Sequence, residues 1–97
     1  MIQPGDIFVA DLNEEVQRRV LVVSNARFTS ASGRAVVIPE IVGQTDEIPF
    51  PWRIDVEDGI FAVDLLRSIP VERLLDHTGR ASFAAMVKIR RAVVHIT

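Results

Sequence analysis

Over the first two thirds of the chain, apolar positions fall into short blocks separated by polar or turn-forming residues. Ile7-Phe8-Val9-Ala10 is framed by Pro4-Gly5-Asp6 on one side and Asn13-Glu14-Glu15 on the other. Val20-Leu21-Val22-Val23 and Ala35-Val36-Val37-Ile38 are uninterrupted runs rich in β-branched residues, the pattern of strands covered on both faces. Ser30-Ala31-Ser32-Gly33 reads as a turn between them. Pro39 has no N–H to give a ladder and is expected to end the third strand. Pro49-Phe50-Pro51 restricts any strand there to an edge, and Arg53-Ile54-Asp55-Val56 alternates as a half-exposed strand does. Asp58-Gly59 is a hairpin turn signal leading into Ile60-Phe61-Ala62-Val63. Leu66 to Ile69 and Glu72 to Leu75 supply two further short strands around Pro70.

The last segment changes period. Ser82 stands where an N-cap belongs, just after Gly79. From Phe83 to Ile96, Ala84, Lys88, Arg91 and His95 recur at spacings of four, three and four. Phe83, Met86, Val87, Val93 and Val94 occupy the opposite side, which predicts one amphipathic C-terminal helix packed on the sheet. Lys88, Arg90, Arg91 and His95 lie toward its C-terminal end, where positive charge suits the helix dipole. Five to seven short strands with that helix make an α+β, SH3-like barrel.

Composition narrows the class. A chain of 97 residues without repeats or linkers points to one domain spanning residues 1–97, and 48% apolar residues exclude intrinsic disorder. Without cysteine there is neither a disulfide framework nor a thiolate metal site, and two histidines, His77 and His95, make a poor zinc cluster. No metal or cofactor is expected. The acidic group Asp55, Glu57 and Asp58 reads as a solvated turn rather than a cation site. There is no signal-like N-terminus and no apolar run of the ~20 residues that span a bilayer, so the expected location is the cytoplasm, away from membranes. A net charge of −2 argues against a general nucleic-acid coat protein. Ten of the eleven basic residues are nevertheless arginine, whose planar fork grips phosphate. Codon bias explains that count equally well. The composition permits a local RNA site without demanding one.

Several segments, in order, resemble the MazF/PemK/Kid toxins of type II toxin–antitoxin systems. Gly5-Asp6-Ile7-Phe8-Val9-Ala10-Asp11-Leu12 is similar to their opening strand, and Arg18-Arg19-Val20-Leu21-Val22-Val23-Ser24 to their second. Gly33-Arg34-Ala35-Val36-Val37-Ile38-Pro39 resembles the third. Asp64-Leu65-Leu66-Arg67-Ser68-Ile69, then Arg73-Leu74, and Gly79-Arg80-Ala81-Ser82 before the helix follow in the family's order. The resemblance implies a CcdB/MazF-type barrel and a homodimer. It also implies a metal-independent, sequence-selective endoribonuclease that cleaves single-stranded RNA, mRNA included, and a cognate antitoxin that neutralises it. By that likeness the 2′-hydroxyl attacks the adjacent phosphate, Arg18 is the catalytic arginine, and Arg19, Ser24, Asn25, Gln44 and Arg67 are candidate RNA contacts. Arg18 and Arg67 can equally be read as solvated or salt-bridged surface residues.

The departures from the pattern are specific. Where the family has a catalytic threonine after the third strand, this chain has Ile41, and the nearest threonine is Thr45, the remaining candidate for that role. Leu65 replaces a usual glutamine, and Arg19 replaces the proline beside Arg18. The loop from Asn13 to Gln17 is short and carries Glu14 and Glu15. Trp52 could stack on a base or anchor the core, His77 falls in a turn-like stretch, and His95 suits the helix dipole. Two other functions stay open at this point: a MazF-like binding module without catalysis, and a gyrase poison of the CcdB type. The ending His95-Ile96-Thr97 departs from the Trp-Gly-Ile on which poisons of that type depend.

Overall fold

The computed structural model describes residues 1–41, 51–57 and 59–97. The apolar blocks become β1 (Asp6–Ala10), β2 (Arg18–Val22), β3 (Arg34–Ile41), β4 (Arg53–Val56), β5 (Gly59–Ala62), β6 (Arg67–Pro70) and β7 (Leu74–Arg80). All pairings are antiparallel, in the order β4-β5-β3-β2-β1-β7, with β6 also on β3. The sheet curls in a barrel-like way without closing its ladder. The predicted α+β class therefore stands.

The two central strands explain why their apolar runs are continuous. Side chains alternate between faces along a strand, so β2 and β3 each feed two cores. Leu21 and Ile38 join Ile7, Phe61 and Val63 beneath the C-terminal helix α2 (Phe83–Ile96), while Val20, Val22, Ala35 and Val37 join Ala10, Leu12 and Ile69 on the other face. Burial of each valine, leucine, isoleucine or phenylalanine among them contributes roughly 1.5–3 kcal/mol. Ser82 caps α2 as expected, its hydroxyl accepting from the Ala85 N–H at 3.1 Å.

Several local expectations give way to the structure. Residues 26–32 form a helix, α1 (Ala26–Ser32), rather than ending in a turn at Ser30–Gly33. The Asn25 side chain accepts from the Phe28 N–H at 2.8 Å, and Gly33, at φ +69°, closes the other end in the left-handed conformation that glycine adopts without penalty. Pro39 lies inside β3. The Val36 carbonyl faces β2, where it accepts from the Val23 N–H, so by alternation Pro39 faces the opposite edge. That edge changes partner there, from β6 (through Val37) to β5 (from Glu40), and no donor is missed.

The turn expected at Asp58-Gly59 starts one residue earlier. Val56 pairs with Gly59, so Glu57, at φ +55°, enters the loop and Gly59 opens β5. Instead of a strand over Glu72–Leu75, a 3-10 turn covers Val71–Arg73 and β7 begins at Leu74, which places the supposed turn around His77 within a strand. Finally, α2 buries Ala85, Met86, Ile89 and Ala92 and leaves Phe83 and Val94 exposed. The apolar arc is wider than the sheet can cover, so only its middle is packed. Among the described residues no helix is long and apolar enough to cross a membrane.

Candidate functional site

Arg18 opens β2, and its position is set by the chain on both sides. Downstream, Val20, Leu21 and Val22 are fully buried and anchor the strand. Upstream, the Asp11 carboxylate accepts from the Asn13 N–H at 2.9 Å, and Asn13 takes a left-handed φ of 62° that reverses the chain. Residues 14–18 then line an open groove of about 490 Å³ beside the strand. Within it, Arg18 Nη2 stands 3.3 Å from Glu14 Oε1, both side chains remaining partly exposed. A guanidinium held at a groove's edge by a carboxylate four residues earlier combines a fixed positive charge with a proton acceptor.

Glu14 is a site residue that the sequence pattern does not single out, since it reads there only as part of a short acidic loop. The four-residue spacing to Arg18 was the available signal, though in a loop that spacing guarantees no contact.

Arg19 goes elsewhere. It lies on the alternate face of β2 and donates from Nε to Glu40 Oε1 at 3.1 Å and from Nη2 to Glu40 Oε2 at 2.5 Å, with its guanidinium 5.8 Å from the Phe61 ring centroid. Val20 pairs with Pro39, which puts Arg19 directly across from Glu40. Gly59 makes room for this pair, because a Cβ there would run into the Glu40 carboxylate and the Arg19 Nη2. Arg18 and Arg19, neighbours in sequence, therefore do not converge on one ligand site.

Ser24 and Asn25 serve α1. The Ser24 hydroxyl accepts from the Val36 N–H and pairs with the Thr29 hydroxyl, each at 3.0 Å, and Asn25 is the cap already described. Arg67 is exposed at the start of β6, opposite Val37, on the same side of the sheet as Arg18. Continuing the β2–β3 register past Val20 and Pro39 sets Ile41 across from Arg18, so the side chain beside the arginine is apolar. Gln44 and Thr45 lie outside the described residues. Leu65 is exposed in a 3-10 turn, and Trp52 packs against the larger core. His95 lies in the last turn of α2.

A second ionic cluster sits across β1 and β7. Buried Asp6 accepts from Arg80 Nη1 at 2.6 Å and from the Gln3 N–H at 2.9 Å, and His77 Nε2 is 3.5 Å away with its ring 5.0 Å from that of Phe8. It pins the edge strand β7 to its neighbour. Among the described residues no group of three or more His, Asp or Glu side chains could hold a metal ion.

Residues 3–97 match the family described as PemK-like, MazF-like toxin of type II toxin–antitoxin system. No curated protein sequence matches. Among solved structures, an endoribonuclease in complex with its cognate antitoxin from a mycobacterial species superimposes with a TM-score of 0.84 at 20% identity, over 98% of this chain and 93% of that one. The MazE–MazF complex (Form-II) of Deinococcus radiodurans gives 0.82 at 16% identity, over 98% and 93%. Mycobacterium tuberculosis toxin MazF-mt6 gives 0.75 at 15%, over 93% of each chain. These likenesses establish a shared fold.

Proposed function

The chain belongs to the PemK-like, MazF-like toxins of type II toxin–antitoxin systems, and on that premise we propose that it is an endoribonuclease centred on Arg18. The observation that carries the reading is the Arg18–Glu14 pair at the groove beside β2. Structural neighbours named as endoribonucleases, one of them with its cognate antitoxin, support it. The substrate is single-stranded RNA, mRNA included, cut at preferred sequences without a metal. The partners are a cognate antitoxin and a second copy of the chain.

The reaction needs two proton movements and a charge to stabilise. The 2′-hydroxyl oxygen bonds to the adjacent phosphorus as its proton passes to the Glu14 carboxylate. The bond from phosphorus to the 5′-oxygen breaks, and that oxygen takes a proton from solvent, leaving a 2′,3′-cyclic phosphate and a 5′-hydroxyl. Arg18 offers its fork to the phosphorane oxygens, where charge grows most in the transition state. Glu14 orients that fork before substrate arrives and must yield to the phosphate when it binds. Thr45 remains the candidate for the hydrogen-bonding role that Ile41 cannot fill, and Arg67 and Gln44 are candidate RNA contacts. With Arg19, Ser24 and Asn25 engaged in the fold, any RNA contact from them is secondary to those bonds.

Ile41 and Leu65 favour a second reading, a toxin-like binding module without catalysis. One assay separates the two. Long single-stranded RNA is incubated in EDTA with the wild-type protein and with Arg18→Ala, Arg18→Lys and Glu14→Gln, and the new ends are mapped. The ribonuclease reading expects cyclic-phosphate ends from the wild type and a loss of ~10²–10³ in rate for Arg18→Ala, the scale of one lost oxyanion donor. Equal cleavage by Arg18→Ala removes the arginine from the mechanism. Absence of cleavage by the wild type leaves the binding module.

A further inference from the structure

The strand register extends the Arg18 site across the sheet. Arg18 stands across from Ile41, Ile41 pairs with Ile60, and Ile60 pairs with Asp55. Residues directly opposite one another share a face, so these four side chains form one row over β2, β3, β5 and β4. Their neighbours confirm it, since Glu40, Phe61 and Ile54 all turn to the other face, where Phe61 and Ile54 enter the larger core. Ile41 and Ile60 are partly exposed and Asp55 is exposed. The acidic residues around the β4–β5 turn therefore do not act as one solvated group. Glu57 lies against β7, where a Cβ at Gly79 would meet its carboxylate at 3.2 Å. Asp55 has no ion-pair or hydrogen-bond partner among the described residues. A charge on an edge strand such as β4 discourages pairing with other chains, and Arg53, two residues earlier on the same face, already supplies one. Edge protection does not account for a carboxylate that ends an apolar row begun by Arg18.

We propose that this row reads the base of the nucleotide whose 2′-hydroxyl attacks, with the base resting on Ile41 and Ile60, Asp55 accepting hydrogen bonds from its edge, and guanine preferred. The proposal rests on the ribonuclease reading of Arg18 and adds a specificity residue to it. Bases are apolar on their faces and polar at their edges, and single-stranded RNA is read by covering the first and hydrogen-bonding the second. A carboxylate can only accept. Guanine sets N1–H beside its N2 amino group, two donors that match the two oxygens of Asp55 in a charge-assisted, two-pronged contact. Cytosine and adenine each offer one amino group at that edge. Uracil offers one N–H between two carbonyl oxygens, which repel a carboxylate. The expected order is guanine, then cytosine and adenine, then uracil. An acidic side chain near RNA ordinarily repels the backbone. Here three strand spacings of ~4.8 Å separate Asp55 from Arg18, roughly 14 Å in all, which exceeds the ~8 Å range of charge interactions at physiological salt. Asp55 can thus meet a base edge without expelling the phosphate from the arginine.

The test uses the full-length protein and two readouts, one of which does not require cleavage. In the first, the 3′-monophosphates of guanosine, cytidine, adenosine and uridine are titrated separately and followed by NMR shifts. The proposal expects shifts at Arg18, Ile41, Asp55 and Ile60, and a Kd for the guanosine nucleotide at least ~5-fold below that for uridine, the lower end of what one two-pronged base contact discriminates. Asp55→Asn is expected to bring that ratio below ~2, and Ile60→Ala to weaken all four nucleotides alike. Asp55 is exposed, and an unchanged urea midpoint confirms that its variant is folded. In the second readout, a random-sequence single-stranded RNA is cut in EDTA and the base on the 5′ side of each cut is counted. Guanine enrichment there, lost in Asp55→Asn, supports the proposal. Cleavage without a base preference at that position, together with equal binding of the four nucleotides, overturns it and leaves the ribonuclease reading standing. A guanosine preference that Asp55→Asn removes, in a protein that cuts no RNA, keeps the base site and sinks the ribonuclease reading instead. Absence of shifts with every nucleotide, or a preference unchanged by Asp55→Asn, overturns the role of Asp55.

Discussion

Substituting Gly59 by alanine tests the placement of Arg19 through stability alone. Gly59 does not need glycine's conformational range, since its φ lies outside the left-handed region. At such a position Gly→Ala ordinarily stabilises by about 0.4–1 kcal/mol, by restricting the unfolded chain. Here the added methyl meets the Glu40 carboxylate and Arg19 Nη2. Relieving that overlap moves a carboxylate that is 14% exposed away from a guanidinium that is 23% exposed, and it breaks two charge-assisted hydrogen bonds. Removing one partner from a fully buried pair costs about 3–5 kcal/mol. Partial solvation of this pair, together with the opposing entropy term, brings the expected net loss to roughly 2 kcal/mol.

The decisive quantity is the double-mutant cycle with Glu40→Ala. Once the carboxylate is gone, the end of the Arg19 side chain is no longer held over Gly59 and can swing away from the methyl, and Gly59→Ala is expected to become neutral or stabilising by up to ~1 kcal/mol. The cycle therefore predicts a change of sign, with a coupling of roughly 2–3 kcal/mol. Urea unfolding of the four proteins at one fixed protomer concentration reads it, because association would otherwise shift the midpoints. An equal loss from Gly59→Ala in both backgrounds would refute the reasoning, since the pair could not then lie over Gly59.

Other outcomes follow from the packing. Ile89→Ala, at a fully buried site between α2 and the sheet, should lower unfolding free energy by ~2–5 kcal/mol. Phe83→Ala, 80% exposed in the same helix, should change the protomer by less than ~0.5 kcal/mol, and equal urea-midpoint shifts for the two would contradict the observed helix face. Asn25→Ala should remove about 1 kcal/mol with the α1 cap, while Asn25→Ser should restore most of it. If Asn25→Ser keeps the stability and still loses RNA cleavage, Asn25 has an RNA role separate from capping.

The sequence made the strands legible where hydrophobic burial alone dictated them. Val20–Val22 and Ala35–Ile38 are apolar on both faces because both faces are covered, and no other environment suits such runs. Ser82 and the change of period at Phe83 marked α2 for the same reason, a local cap followed by a face. Short elements were harder to read. Helix α1 rests on one side-chain cap and one left-handed glycine, and Asn25 and Gly33 are also what a loop would contain. The buried face of α2 could not be chosen among Phe83, Met86, Ile89 and Val94, since the shape of the sheet selects it. Arg18 stood out through its motif, but Glu14 and Glu40 did not. What each acid does depends on which arginine the backbone turns toward it.

That dependence explains how adjacent arginines come to serve different ends. The two-residue period of β2 sends Arg18 and Arg19 to opposite faces, and each meets a carboxylate of a different kind. Glu40 is held across a ladder and largely buried, so the Arg19 pair is fixed and exchanging it for a phosphate would break bonds the fold relies on. Glu14 sits in a solvated loop, in contact with Arg18 through one 3.3 Å approach between partly exposed groups. An exposed pair of this sort is worth at most ~1 kcal/mol, so an incoming phosphate can displace it at little penalty and form a stronger, two-pronged contact. A guanidinium available to substrate must be positioned but not committed. By that criterion Arg18 qualifies and Arg19 does not, although a reading of the motif alone would have joined them in one phosphate clamp.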